Sequence, residues 1–219
     1  MVEWQLLASL AEEDRRTLLA LTRRRRFKRN EVVFHDGDPG DSLHLISKGR
    51  VAVRVMTPLG DTATLVILGP GEYFGEMAIL SPAPRNATVV ALEPLETLTL
   101  HREDFNELRR QHRWIDTFLI EALASELRRS SLRLLEALYV SVDKRVLRRL
   151  AALVDIYQDS EADTPVVIPL TQEDIAQLAG TTRPTANRVI RAAEAAGMVR
   201  LGRGKVEIVD ADGLRKRAR

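Results

Sequence analysis

The chain of 219 residues has no cysteine. That excludes disulfides, thiolate-held zinc and cysteine-ligated iron–sulfur clusters, and with them a whole class of redox sensors. It also lacks any run of eighteen apolar residues, so no membrane-spanning helix is expected. The opening MVEWQLLASLAEEDRR carries acidic residues where a secretory signal needs a basic and then an apolar stretch. A soluble, cytoplasmic protein with no membrane partner is the expectation. A strong charge excess is missing too: the formal net charge is +2. Residues 1–140 hold 19 basic and 20 acidic side chains, and residues 141–219 hold 14 and 11. The mild positive excess at the back permits nucleic-acid binding without demanding it. No metal-ligand cluster, no Ser/His/Asp set and no P-loop glycine–lysine pair accompanies the glycine-rich segment around Glu76, which argues against an enzyme and predicts no metal site.

What is present falls into three textures. Residues 3–22 read as one amphipathic helix, with Leu6, Leu7, Leu10, Leu18, Leu19 and Leu21 at helical intervals. From Phe27 to Leu100 short β-branched runs alternate with glycine and proline signals, the pattern of an all-β sandwich or barrel of hairpins. The basic run Arg23–Arg26 with Lys28 and Arg29 reads as a solvated junction between helix and strand. From Glu103 to Leu138 neither proline nor glycine occurs, which predicts a short helix followed by a longer one. There Ile120, Leu123, Leu127, Leu134 and Ala137 recur at three- and four-residue steps, the seam of a two-stranded coiled coil. Ser130 occupies the seam position between Leu127 and Leu134. A small polar residue there either bonds its own backbone one turn back or meets an outside partner.

The seam breaks at Tyr139–Asp143, where Ser141 is placed to cap a helix from Val142 to about Tyr157. This divides the chain into residues 1–102, 103–140 and 141–219. Gln158–Asp163 reads as a polar loop and Val166–Ile168 as a short strand. Then Leu170–Gly180 and Thr181–Arg191 spell a helix–turn–helix. Thr171 caps the first helix with Asp174 reaching back, and Gly180 permits the turn. Thr182 caps the second helix, which buries Ala186, Val189, Ile190 and Ala193 and leaves Arg183, Thr185, Asn187, Arg188 and Arg191 elsewhere. Arginines on an open helix face can grip guanine O6 and N7. An ordinary helical hairpin is the plain alternative. Two apolar runs around Gly202-Arg203-Gly204 predict a β-hairpin wing with Arg200, Arg203 and Lys205 giving positive charge at its tip. The tail Arg215–Arg219 reads either as a nonspecific attraction for nucleic acid or as a disordered solubilising end.

With these segments in place, the chain resembles the cyclic-AMP receptor protein family, the broad group that includes the fumarate-nitrate regulators, over about residues 15–210. The run Gly37–Val51 carries the family's hairpin corners. Gly71–Ala78 (GEYFGEMA) and Pro84–Val89 (PRNATV) resemble the phosphate-binding cassette of cyclic-nucleotide domains. The resemblance implies an α+β fold: an N-terminal β-roll, a long central dimerisation helix and a C-terminal winged helix-turn-helix. It implies that Gly75 lets backbone approach the ligand phosphate, Arg85 pairs with it, Glu76 accepts the ribose hydroxyl and the backbone of Met77 completes the sugar contacts. Cyclic AMP is the implied ligand; Asn86 stands where the cyclic-AMP receptor carries serine, which admits cyclic GMP as a second one. Ser130 and Ser131 fall where the central helix meets the purine, Ser130 toward its own roll and Ser131 toward the partner's. A structural Glu76–Arg85 ion pair in an empty roll is the alternative.

The resemblance also implies a homodimer on a palindromic double-stranded DNA operator, acting with RNA polymerase. The expected DNA-contacting set is Thr171, Thr182, Arg183, Thr185, Asn187, Arg188 and Arg203. Pro184 stands where the family has glutamate and cannot accept a hydrogen bond from cytosine N4, so a different or looser operator is expected. Two rivals share parts of this pattern. A haem-triggered regulator would need one of His35, His44, His101 or His112, each read as a surface or strand residue. An enzyme would use Glu76 as base.

Overall fold

A computed structural model describes residues 2–57, 60–81, 83–158 and 165–219 of the protein. The chain divides into two compact units, Met1–Thr62 with Val66–Ser130 and Ala63–Leu65 with Ser131–Arg219.

The first unit opens with a 3-10 turn at Gln5–Leu7 and α1 at Glu12–Ala20, not with one helix over residues 3–22. Ala11 takes extended backbone (φ −58°, ψ 152°), and Glu12, Glu13 and Asp14 fill the first turn of α1, where the helix dipole favours negative charge. The restart lets Leu7 and Leu18, each 1% exposed, reach the same core from two directions.

Eight strands follow: β1 Arg23–Phe27, β2 Val32–Phe34, β3 Ser42–Lys48, β4 Val51–Met56, β5 Thr62–Leu68, β6 Tyr73–Phe74, β7 Thr88–Ala91 and β8 Leu95–His101. They form two four-stranded sheets, ordered β1-β8-β3-β6 and β2-β7-β4-β5. Strand parity sorts the side chains. On β3, Leu43 and Leu45 join Leu100 in the core shared with the helices. His44 and Ile46, paired with Thr99 and Thr97, face the other way, and Ile46 packs there with Phe27, Phe74 and Val89.

The arginine run is strand, not junction. Arg23–Phe27 pairs antiparallel with Thr99–Leu95 as the edge of its sheet. Glu96 ion-pairs with Arg24 and Arg26 at 3.1 and 3.0 Å, and Phe27 anchors the inner end. Cations along an exposed edge oppose pairing with another chain. The remaining elements of this region are α2 (Glu76–Leu80), α3 (Arg102–Gln111) and the long α4 (Trp114–Tyr139). Ile115 and Phe118 of α4 are buried.

The second unit is built on α5 (Val142–Tyr157), whose Val146, Leu150 and Val154 are fully buried. It continues with β9 (Val166–Ile168), α6 (Gln172–Leu178), α7 (Arg183–Ala195), β10 (Val199–Gly202), β11 (Lys205–Ile208) and α8 (Ala211–Ala218). The strands make one sheet, β10-β11-β9. Ser141 is the N-cap residue of α5 but makes no side-chain cap bond. The loop read over Gln158–Asp163 lies, apart from Gln158, outside the described residues.

The basic tail is ordered, against the reading of a disordered end. Asp210 caps α8 by accepting from the Gly213 N–H at 2.8 Å, and Leu214 and Ala218 are buried. Arg148 of α5 donates to the Ala218 carbonyl at 2.9 Å, and Arg215 pairs with Asp155 at 2.6 Å. Arg215, Lys216 and Arg217 lie in the last turn, where cations suit the helix dipole.

Candidate functional site

The cassette residues converge on one buried guanidinium. Gly75 precedes α2 in the left-handed region (φ 83°, ψ 11°). A Cβ there would stand 2.8 Å from both Arg85 Nη1 and the Ser42 carbonyl, so the position requires glycine on conformation and on space. The Arg85 side chain is 4% exposed. Its Nη1 donates to the Ser42 carbonyl at 2.8 Å and the Gly75 carbonyl at 3.2 Å, and its Nη2 donates to Ser42 Oγ at 3.0 Å. The guanidinium lies 4.0 Å from the centre of the Phe34 ring and 3.6 Å from Asp41 Oδ1. Its Nε is buried with no hydrogen-bond partner among the described residues. A buried donor left unpaired is costly, and an incoming acceptor would relieve it.

Burial pulls the Arg85 pKa below its ordinary value, with Asp41 as the largest opposing influence. The Glu76 carboxyl moves the other way: burial pushes it up and Glu126 adds to the rise, while a hydrogen bond from its own backbone N–H opposes it most, followed by Arg129 and Arg85. Glu76 and Arg85 feel one another electrostatically. Even so, no hydrogen bond or ion pair joins them among the described residues, and the arginine turns to Ser42 and Asp41 instead. The closed Glu76–Arg85 pair of the ligand-free alternative is therefore not what forms.

Met77 is 48% exposed. Asn86 follows Arg85 at the surface, and Ser130 and Ser131 are exposed on α4. Sequence reasoning missed Ser42, Asp41 and Phe34 as the supports of Arg85, and Tyr73 and Arg129 beside Glu76. Ser42 shares β3 with Leu43, Leu45 and His44, so strand parity alone does not mark it as a partner of Arg85.

His44 is a strand residue as expected, but a buried one. Its Nδ1 lies 3.2 Å from the hydroxyls of both Thr97 and Thr99, and its ring stacks on Phe74 at 4.8 Å. Burial, with the nearby Arg85 and Arg25, lowers its pKa to about 3. It is neutral throughout the physiological range and tied into the roll.

The helix-turn-helix forms as α6 and α7. Thr171 Oγ1 accepts from the Asp174 N–H at 3.2 Å while Asp174 Oδ2 accepts from the Thr171 N–H at 2.8 Å, a reciprocal capping box. Thr171→Ala is expected to cost about 1 kcal/mol and lower the melting temperature by roughly 2–4 °C. A thermal scan with no shift would contradict the cap's role. Ala186, Val189, Ile190 and Ala193 are the buried residues of α7, as the spacing predicts.

The polar side chains divide less simply. Thr182 is the N-cap of α7, but its hydroxyl bonds the Thr185 hydroxyl at 3.1 Å, not a backbone N–H. Asn187 donates to Gln172 of α6 at 2.6 Å. Arg188 grips both oxygens of Asp143, Nη1 at 3.0 Å and Nη2 at 2.5 Å, and holds that carboxyl below its ordinary range. Arg183 is exposed at the start of α7. It shares a concavity of about 390 Å³ with Thr171, Gln172, Gly202 and Lys205.

The wing is a hairpin in which Gly202 pairs with Lys205 across Arg203-Gly204. The expected three-cation tip is reduced: Glu207 ion-pairs with Arg200 at 3.3 Å and Lys205 at 2.7 Å. Arg203 remains exposed at the turn.

Comparison with known proteins matches both regions. Residues 24–112 fit the cyclic nucleotide-binding domain, and residues 144–217 fit the Crp-like helix-turn-helix domain. The chain is 32% identical over 194 residues to the CRP-like cAMP-activated global transcriptional regulator of Mycobacterium tuberculosis, covering 88% of this chain and 87% of that one. It is 34% identical over 206 residues to the cyclic AMP receptor protein of Thermus thermophilus, covering 94% and 93%. Among solved structures, the Thermus thermophilus catabolite activator protein aligns with a TM-score of 0.56 at 35% identity, covering 97% of each chain. The chain belongs to the cyclic-AMP receptor protein family: it is a DNA-binding transcription regulator with a cyclic-nucleotide-binding domain, and not an enzyme.

Proposed function

We propose that the protein is a homodimeric regulator whose DNA binding is controlled by a cyclic nucleotide, cyclic AMP in preference and cyclic GMP as the tolerated alternative. The observation that carries this reading is Arg85, buried and with its Nε unpaired, beside a glycine that keeps the backbone open. A phosphodiester monoanion offers that donor its missing acceptor. Glu76 then takes the ribose hydroxyl, the Met77 backbone completes the sugar contacts, and Asn86 donates to the phosphate. Relatives named as a cAMP-activated regulator and a cyclic AMP receptor protein support the choice of ligand. No metal is part of the proposal.

The dimer of this reading would form through α4. Ile120, Leu123, Leu127 and Leu134 are 67%, 45%, 69% and 60% exposed along the predicted seam, an apolar stripe that a second copy would cover. Ser130 and Ser131 would bond the two purines, one in each roll. Ligand binding energy then favours one arrangement of the dimer over another. In this organisation residues 1–102 bind ligand, 103–140 dimerise and 141–219 bind DNA. The cytoplasm is the corresponding location.

DNA would be met by Thr171, Thr182, Arg183, Thr185, Asn187 and Arg188, with Arg203 of the wing on phosphate. A palindromic operator follows from a two-fold dimer, and RNA polymerase is the expected further partner. The test is selection of bound sequences from random DNA with and without cyclic AMP. Enrichment of a palindrome only with the nucleotide is expected, with relaxed preference at the cytosine that a glutamate would read. Pro184→Glu should restore that preference by about tenfold or more. Equal enrichment without nucleotide would count against the control mechanism, and an unrelaxed cytosine in the wild type would refute the role given to Pro184.

A further inference from the structure

A second set of groups gathers beside the Glu76–Arg85 cradle. Arg129 of α4 donates from Nη2 to the Tyr73 hydroxyl of β6 at 3.0 Å, and its guanidinium lies 5.9 Å from the Tyr73 ring centre. The same side chain holds Glu126 one turn earlier, through Nε at 3.0 Å and Nη2 at 2.6 Å. Arg129 and Glu126 are 38% and 35% exposed, and a half-exposed ion pair within one helix is worth little by itself. The bond to Tyr73 changes this, because it ties the helix cation to the strand that leads into α2, where Glu76 is the first residue. A cavity of about 200 Å³ bounded by Tyr73, Phe118, Ser125 and Arg129 adjoins the group.

The charged and titratable groups coupled electrostatically to Glu76 are Glu126 and Arg129 of α4, Arg85 of the segment before β7, and Tyr73 of β6. Two carboxylates near one another cannot both stay ionised cheaply unless a cation offsets one of them. We infer that Arg129 is a positioning residue of the ligand site: anchored on the Tyr73 hydroxyl, it offsets Glu126 and so keeps Glu76 an acceptor for a ligand hydroxyl. The inference rests on the cyclic-nucleotide reading only for the identity of that ligand. Burial and Glu126 push the Glu76 carboxyl up, while the hydrogen bond from its own backbone N–H and then Arg129 hold it down, so the expected effect of losing Arg129 is a raised titration and that of losing the Glu126 charge a lowered one.

The experiment follows the Glu76 carboxyl carbon by NMR through a pH titration of the full-length, ligand-free protein, in the wild type and in Arg129→Gln, Arg129→Lys, Glu126→Gln and Tyr73→Phe. The expected result is a midpoint moved up by Arg129→Gln, moved down by Glu126→Gln, near wild type in Arg129→Lys, and raised by a smaller step in Tyr73→Phe. Cyclic AMP affinity, by calorimetry, should fall in Arg129→Gln by about tenfold at acidic pH and by less at neutral pH. An unmoved midpoint in Arg129→Gln, or a shift in the same direction for Arg129→Gln and Glu126→Gln, would overturn the inference, since a merely structural change has no reason to distinguish the two signs. If the midpoints move as stated but the wild type binds neither cyclic AMP nor cyclic GMP, the nucleotide reading fails and the hold of Arg129 on Glu76 stands.

Discussion

Arg85→Leu is expected to abolish cyclic-nucleotide binding while leaving a folded dimer. The guanidinium is the one buried cation of the cradle, with donors already committed to the Ser42 carbonyl, the Gly75 carbonyl and Ser42 Oγ. Truncating one partner of a buried, hydrogen-bonded charge pair costs about 2–5 kcal/mol, a loss of roughly 30-fold or more in affinity. Stability should fall by less, about 1–3 kcal/mol for carbonyls left without a donor, because leucine still fills the space against Phe34. Titration calorimetry should show the loss of binding, with circular dichroism and sedimentation near those of the wild type. Binding by Arg85→Leu within a few-fold of the wild type would remove Arg85 from the site.

The second large effect is expected at the helix seam. Leu134 is 60% exposed on α4, and in the proposed dimer it would meet its own copy across a two-stranded coiled coil. Leu134→Glu would bring two carboxylates together at an apolar contact. Each unpaired charge there costs several kcal/mol in desolvation, and about 3 kcal/mol weakens the dimer by more than a hundredfold. Sedimentation equilibrium should then find monomer where the wild type is dimeric. DNA affinity should fall with it, because one half-site contact remains where two acted together. A dimer of unchanged strength would place the interface elsewhere.

Much of this was legible in the sequence because it rests on local rules. The capping box at Thr171 and Asp174, the buried face of α7 and the two-residue turn at Arg203-Gly204 each follow from spacing and turn chemistry within a few residues. That Gly75 and Arg85 come together was legible through the cassette pattern. What was not legible depends on pairing between distant segments. The arginine run looked like a junction because nothing nearby reveals that Glu96, on a strand some seventy residues later, brackets Arg24 and Arg26. The tail looked disordered because its charge hides Asp210 as a cap and Leu214 and Ala218 as a buried stripe. His44, Thr97 and Thr99 meet only through the β3–β8 register. Arg188 and Asn187 seemed free to face DNA, yet in the protein alone they rest on Asp143 and Gln172. In the proposed DNA contact they would exchange these partners for a base or a phosphate, whereas Arg183 has no side-chain partner among the described residues to give up.

Holding a cyclic nucleotide is the role proposed for the cradle of Gly75, Glu76 and Arg85. The measurement that tests it most directly is calorimetric titration of the full-length wild-type protein with cyclic AMP and with cyclic GMP. Saturable binding of one nucleotide per chain, with a dissociation constant well below about 1 mM and cyclic AMP the tighter, is the predicted result. No binding of either nucleotide below that concentration would contradict it, leaving a regulator of the same fold with a different trigger.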